Sequence, residues 1–222
     1  MACYYYNYFS YCLDLKIFIP LIGPLLTLML GILALPFIEK VKKRIERKRL
    51  LNALKEELND EVIHIDKSFS MIVPTFKNIL AMINGEEVNG FNAVKPGSLK
   101  LYSCDSLLEN HFENLNPNIR KALKVLNEKI EFLNNIDEKI DVLFHVDLKD
   151  EDLQKKMCFA LGSYLGSLLV HRYDIRYLID ILNENKSKLK DPQNRIYTEA
   201  IKNQLTELDR LDILHLFNYN NN

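Results

Sequence analysis

The sequence predicts an all-α protein: a single N-terminal transmembrane helix continuing into a cytoplasmic antiparallel helical bundle. Three features carry that reading. An uncharged apolar run of 22 residues extends from Ile17 to Ile38, a basic cluster follows it directly, and apolar residues then recur at steps of three and four through most of the chain.

The run IFIPLIGPLLTLMLGILALPFI is bounded by Lys16 and Glu39. As a helix it extends roughly 33 Å, against about 30 Å of hydrocarbon in a bilayer. A helix satisfies its own backbone polar groups in lipid, so one transmembrane span over 17–38 is the natural reading. Pro20, Gly23 and Pro24 fall in its first turns, where a missing N–H costs little. Pro36 is expected to bend the helix or mark its exit. A cleaved signal peptide is the competing reading. Against it, the run exceeds the usual 7–15 apolar residues, and no A-x-A-like site follows.

The formal net charge of −1 hides an asymmetry. Residues 39–49 form a basic collar of Lys40, Lys42, Lys43, Arg44, Arg47, Lys48 and Arg49, interrupted by Glu39 and Glu46, for a balance of +5; the chain from Leu50 onward carries −6. Lys and Arg beside a span remain on the cytoplasmic side, so the N-terminus is expected outside and the large domain inside. Near the surface each such cation contributes about 1 kcal/mol of attraction to anionic lipid. Nucleic acid is the alternative partner for the collar and is not favoured. Cys3, Cys12, Cys104 and Cys158 make no C-x-x-C pair, in keeping with a reduced cytoplasmic domain.

Residues 1–16 form a short aromatic tail in which Tyr4, Tyr5, Tyr6, Tyr8, Phe9 and Tyr11 resemble a membrane-interface belt. The bundle is expected over 50–217, and the Asn-rich residues 218–222 are expected to be disordered. Leu51, Leu54, Leu58, Val62, Ile65, Phe69, Ile72, Phe76, Ile79 and Ile83 trace the seam of a packed helix or coiled coil. Pro74 should kink or break it near Val73, and Asn84–Gly85 should end it. A long irregular stretch, 85–97, follows. Ser103 is expected to cap a short helix through Leu107, Leu108, Phe112 and Leu115.

Asn116–Pro117 reads as cap and first position of an amphipathic helix carrying Ile119, Leu123, Leu126, Ile130, Leu133, Ile140 and Leu143 or Phe144. Asp147 to Asp152 turns the chain into another, with Leu153, Met157, Leu161, Tyr164, Leu168, Ile175, Leu178 and Leu182 in step. Within it, 157–170 lacks charge but is too short to span a bilayer, which predicts a buried core helix. Gly162 and Gly166, four apart, allow a neighbour to approach closely. His171 and Arg172 then mark where the helix leaves the core. Asp191–Pro192 should start the last helix, with Ile201, Leu205 and Leu208 as its core face.

No Walker loop, G-x-S-x-G, H-E-x-x-H or Gly-rich dinucleotide turn is present, and no cofactor is implied. Glu61-x-x-His64 has the spacing used by di-iron bundles, but its nearest second copy, Asp212-x-x-His215, has Asp in place of Glu. Glu57, Glu61, His64 and Ser68 therefore read as a solvated stripe, and no metal is expected. Arg210-Leu211-Asp212-Ile213-Leu214-His215 resembles the R-x4-6-H motif of the HEPN ribonucleases, which are all-helical domains. The resemblance covers these six positions and the fold class, and Leu211 stands where that family usually has a polar residue. It implies Arg210 and His215 as catalytic residues of a membrane-tethered ribonuclease. Taken by themselves, the two are cations complementing a helix C-terminus.

The expected function is therefore that of an interaction module rather than an enzyme. The anchor would hold a bundle at the lipid surface and raise its effective concentration toward a protein partner. An oligomer that perturbs the membrane through kinked anchors is the other alternative. The bias toward Lys, Asn and Ile suggests an AT-rich bacterial genome, which would place the chain in the inner membrane.

Overall fold

The computed structural model describes residues 2–6, 9–13, 15–88, 94, 97–145, 150–183 and 189–221. The chain divides into two compact units, Met1–Arg49 and Leu50–Asn222. In the first, the expected aromatic tail departs from an all-α chain: β1 (Ala2–Tyr6) and β2 (Phe9–Leu13) form an antiparallel hairpin that sets Cys3 opposite Cys12 and Tyr4 opposite Tyr11. Aromatic residues favour such a pleated pair. From Leu15 onward the described chain is helical, beginning with α1 (Leu15–Ile83), which contributes to both units. Its apolar stretch is the one segment among the described residues long and apolar enough to cross a membrane, and none of it is buried. Leu25, Leu30 and Phe37 are 59, 64 and 70% exposed. Pro36 does not end this helix.

The second unit is a helical bundle built from the remainder of α1 with α2 (Tyr102–Asn110), a 3₁₀ turn (Phe112–Asn114), α3 (Pro117–Phe144), α4 (Glu151–Leu182), α5 (Tyr197–Glu207) and a terminal 3₁₀ helix (Leu211–Asn221). The α1 seam lies inside it: Leu54, Leu58, Ile65, Phe69, Ile72, Phe76 and Ile79 are buried, and Leu51, Val62 and Ile83 pack at the margin. The chain thus closes this seam on itself. Pro74 does not break the helix as expected. Proline in a helix interior costs about 3 kcal/mol. Phe69, Ile72, Val73 and Phe76 on the adjoining turns are buried, and at about 1.5–3 kcal/mol each their burial outweighs the lost bond. The helix ends as the Asn-Gly pair predicts. Gly85 takes φ +75°, Glu86 N–H donates to Ala81 and Gly85 N–H to Met82, closing a Schellman motif.

Helix α2 starts differently from expectation. Leu101 occupies the cap position without a side-chain bond, and Ser103 sits inside the first turn. The Glu57 carboxylate of α1 accepts from Ser103 N–H at 3.0 Å and from Ser103 Oγ at 2.8 Å. A remote anion thereby satisfies an N-terminal donor and complements the helix dipole. The preceding segment is fixed by Asn134, whose Nδ2 donates to Leu99 C=O and whose Oδ1 accepts from Leu99 N–H.

Asn116 caps α3 and Asp150 caps α4, each accepting from the N–H two residues on at 2.9 Å. The start of the turn before α4, at Asp147–Lys149, lies outside the described residues. Asp191–Pro192 forms a turn and not a helix start: Asp191 Oδ1 accepts from Gln193 N–H, and α5 begins only at Tyr197. At its end Asp209 adopts φ +54°, and Arg210 N–H reaches back to Leu205. The 3₁₀ backbone then runs to Asn221, four residues beyond the predicted limit of order.

The centre of the bundle is α4. Every residue from Tyr164 to Ile175 is buried, so this stretch is enclosed on all sides. The core helix expected over 157–170 exists, but its most enclosed part is shifted toward the C-terminus and includes His171, Arg172 and Asp174. The expectation that the helix leaves the core at His171 is wrong: the charged groups Arg172 and Asp174 find partners inside, and the His171 ring is buried beside them.

Candidate functional site

Helices α1 and α4 run antiparallel. Asp66 meets Arg172, and Phe76 lies 3.3 Å from where a Cβ on Gly162 would stand. Continuing that register brings Ile83 beside Lys155. Between these ends lies a cleft of about 280 Å³. Phe76, Leu80, Ile83 and Asn84 line it from α1, while Lys155, Cys158, Phe159, Gly162, Ser163 and Gly166 line it from α4. Tyr197, Ile201, Leu216 and Phe217 complete the wall. The α4 residues follow the three-and-four step of one helix face, forming a trough roughly 16 Å long.

Each glycine sits under an aromatic ring. A Cβ on Gly166 would stand 2.7 Å from the Tyr197 hydroxyl, so that hydroxyl occupies space which any larger residue would claim. Burial pushes the Tyr197 phenol up, and its hydrogen bond with Ser167 opposes this. Burial likewise raises the thiol of half-buried Cys158. Lys155 is the single charged residue of the lining; it is exposed and paired with Glu151 at 2.6 Å. Phe159, on the rim, is 68% exposed.

Two polar clusters flank the enclosed part of α4. In the first, Arg172 donates from Nε to Asp66 Oδ1 at 2.6 Å, from Nη2 to Asp66 Oδ2 at 3.2 Å, and from Nη1 to Gln204 at 2.5 Å and Glu207 at 2.7 Å. Arg176 also reaches Glu207, at 3.3 Å. One guanidinium thus joins α1, α4 and α5. Burial opposes its charge, and the bonds to Asp66 and Glu207 more than restore it, holding Arg172 above its ordinary range.

The second cluster is less complete. Asp174 Oδ2 accepts from Arg195 Nη2 at 2.8 Å, while Asp174 Oδ1, Arg195 Nε and both ring nitrogens of His171 are buried without a hydrogen-bond partner among the described residues. Burial raises Asp174 to about 7, against the pull of Arg195 and Lys129. Burial and the Lys129 charge lower His171 to about 3, so its ring is neutral at physiological pH. The neighbouring segment is fastened by Lys190 N–H, which donates to Tyr173 Oη at 2.7 Å.

Of the collar residues, Lys40, Lys42, Lys43, Arg44, Lys48 and Arg49 are exposed and Arg47 is half-buried. Arg210 lies just before the terminal 3₁₀ helix and pairs with Asp212 at 3.3 Å. His215 is exposed on that helix, and Asp212 also meets Lys77 at 3.7 Å. The expected solvated stripe on α1 is largely drawn inward. Glu57 caps α2, Ser68 is buried, and half-buried Glu61 stands 3.8 Å from His64. Burial raises the Glu61 carboxyl against the opposing influence of His64.

The Arg172 node escaped the sequence reading because Asp66 lies 106 residues away from it. The usable signal was a string of charges flanked on both sides by core positions. The cleft had a visible signal in Gly162 and Gly166. No protein-family model, curated protein or solved structure matches the chain.

Proposed function

We propose that this chain is a single-pass membrane protein that tethers an interaction module to the bilayer surface. The observation carrying the reading is that no residue of 22–38 is buried, while the bundle closes its own core without them. An apolar helix exposed on every side requires an apolar surrounding, and lipid supplies one. The basic collar sets the N-terminus outside and the bundle in the cytoplasm, which in a bacterium means the inner membrane. Held there, the collar meets anionic headgroups, and the bundle gains effective concentration toward a protein partner.

Alkaline carbonate extraction of membranes carrying the full chain, paired with reporters fused after Asn222, tests this reading. The chain stays in the pellet, a cytoplasmic reporter is active and an exported one silent. Release into the supernatant would end the anchor reading, and the reversed reporter pattern would overturn the orientation.

A further inference from the structure

We infer that the trough between α1 and α4 binds a free fatty carboxylate, with its single chain along the groove and its head at Lys155. The trough is one helix face wide, as the steps from Lys155 through Cys158 and Gly162 show, so it suits one unbranched chain better than the paired chains of a phospholipid. Among the described residues its lining includes one cation and no acid, which favours an anionic head over a cationic one. Lys155 stands at the open end beside the last turn of α1. Its present partner, Glu151, is an exposed neighbour one turn away and readily exchanged. At the opposite end the Tyr197 hydroxyl stands over Gly166. This inference takes the cleft as the bundle's binding site and does not depend on the anchor.

Cys158 provides a reporter inside the trough. The full chain in phosphatidylcholine nanodiscs is alkylated with N-ethylmaleimide, and Cys158 modification is followed by peptide mass spectrometry. Dodecanoate is expected to slow modification at least tenfold and saturably, whereas dodecyltrimethylammonium at equal concentration leaves it unchanged. Lys155→Glu, a surface change, should abolish protection by dodecanoate and confer protection by the cation. Ser163→Phe should remove both by filling the trough, with its melting curve checking the fold. The inference is overturned by absence of protection, by equal protection from both amphiphiles, or by protection that survives Lys155→Glu. Protection by an apolar helical peptide but not by dodecanoate would also overturn it, in favour of a protein ligand. Carbonate release of a chain that still shows dodecanoate protection would sink the anchor and leave this site standing.

Discussion

Residues 22–38 and 50–83 belong to one helix, yet the first segment exposes nearly all its apolar side chains and the second hides most of its own. Both are rich in Leu and Ile, but the first carries no charge and the second interleaves its apolar residues with Lys, Asp and Glu. From Leu51 to Ile83 most apolar residues keep one stripe, and Asp60, Lys67 and Lys77 share the exposed face with Ile63 and Met71. Between Ile22 and Ile38 there is no polar face to turn outward. A bundle can bury one stripe of a helix, whereas an entirely apolar helix needs a surrounding that is apolar on every side.

The sharpest way to test that contrast is at the polar node that fastens the buried segment. Arg172→Ala removes a buried guanidinium together with its charge-assisted bonds to Asp66, Gln204 and Glu207 and, discounted for the partial exposure of both carboxylates, should cost about 3–5 kcal/mol in denaturant unfolding. Leu25→Ala in the exposed stretch should change the same unfolding free energy by no more than about 0.5 kcal/mol. Comparable losses for the two would erase the distinction. Next in size are Leu58→Ala and Ile65→Ala, which create cavities in the cis-packed seam and should each cost about 2–5 kcal/mol. If they instead dissociate an oligomer and spare the monomer's melting, the seam packs between chains.

The incomplete second cluster predicts a pH signature. The folded carboxyl of Asp174 holds its proton to about pH 7, above its ordinary 3.8, so this group makes stability fall as pH rises through that window. The folded ring of His171 refuses a proton until about pH 3, below its ordinary 6.5, so it makes stability rise with pH from 3 to 6.5. The two oppose each other over most of the acid range. Removing one should reveal the other, with a slope of about 1.4 kcal/mol per pH unit. Stability of His171→Leu should decline from pH 4 to 7, and that of Asp174→Asn should climb from pH 3 to 6.5. Slopes of the same sign in both variants would contradict this pairing. The smallest effect belongs to the borrowed cap: Glu57→Ala should cost about 0.5–2 kcal/mol, and thermal unfolding would register it.

What was legible from the sequence follows from distance along the chain. The α1 seam, the Asn116 cap and the stop at Gly85 each depend on residues within a few turns, and all were readable. Pro74 misled because the burial that overrides it comes from helices distant in sequence. Arg172 misled for the same reason: a charge on an apolar helix signals an exit unless partners such as Asp66 and Glu207 meet it, and His171 stays inside as a neutral ring. Ser103 was taken for a cap because the true acceptor, Glu57, is 46 residues upstream. The cleft was half visible. Its glycines stand out in the sequence, but its wall draws on three other segments that no local pattern joins.

The most direct test of the contrast is hydrogen exchange on the full chain in phosphatidylcholine nanodiscs, comparing the natural sequence with Leu58→Ala. The account predicts that amides of residues 22–38 are protected in both chains to the same degree. Those of 54–79 should exchange at least about 30-fold faster in the variant, the equivalent of a 2 kcal/mol loss. Free exchange of 22–38 within the bilayer particle, or acceleration of both segments together, would contradict it.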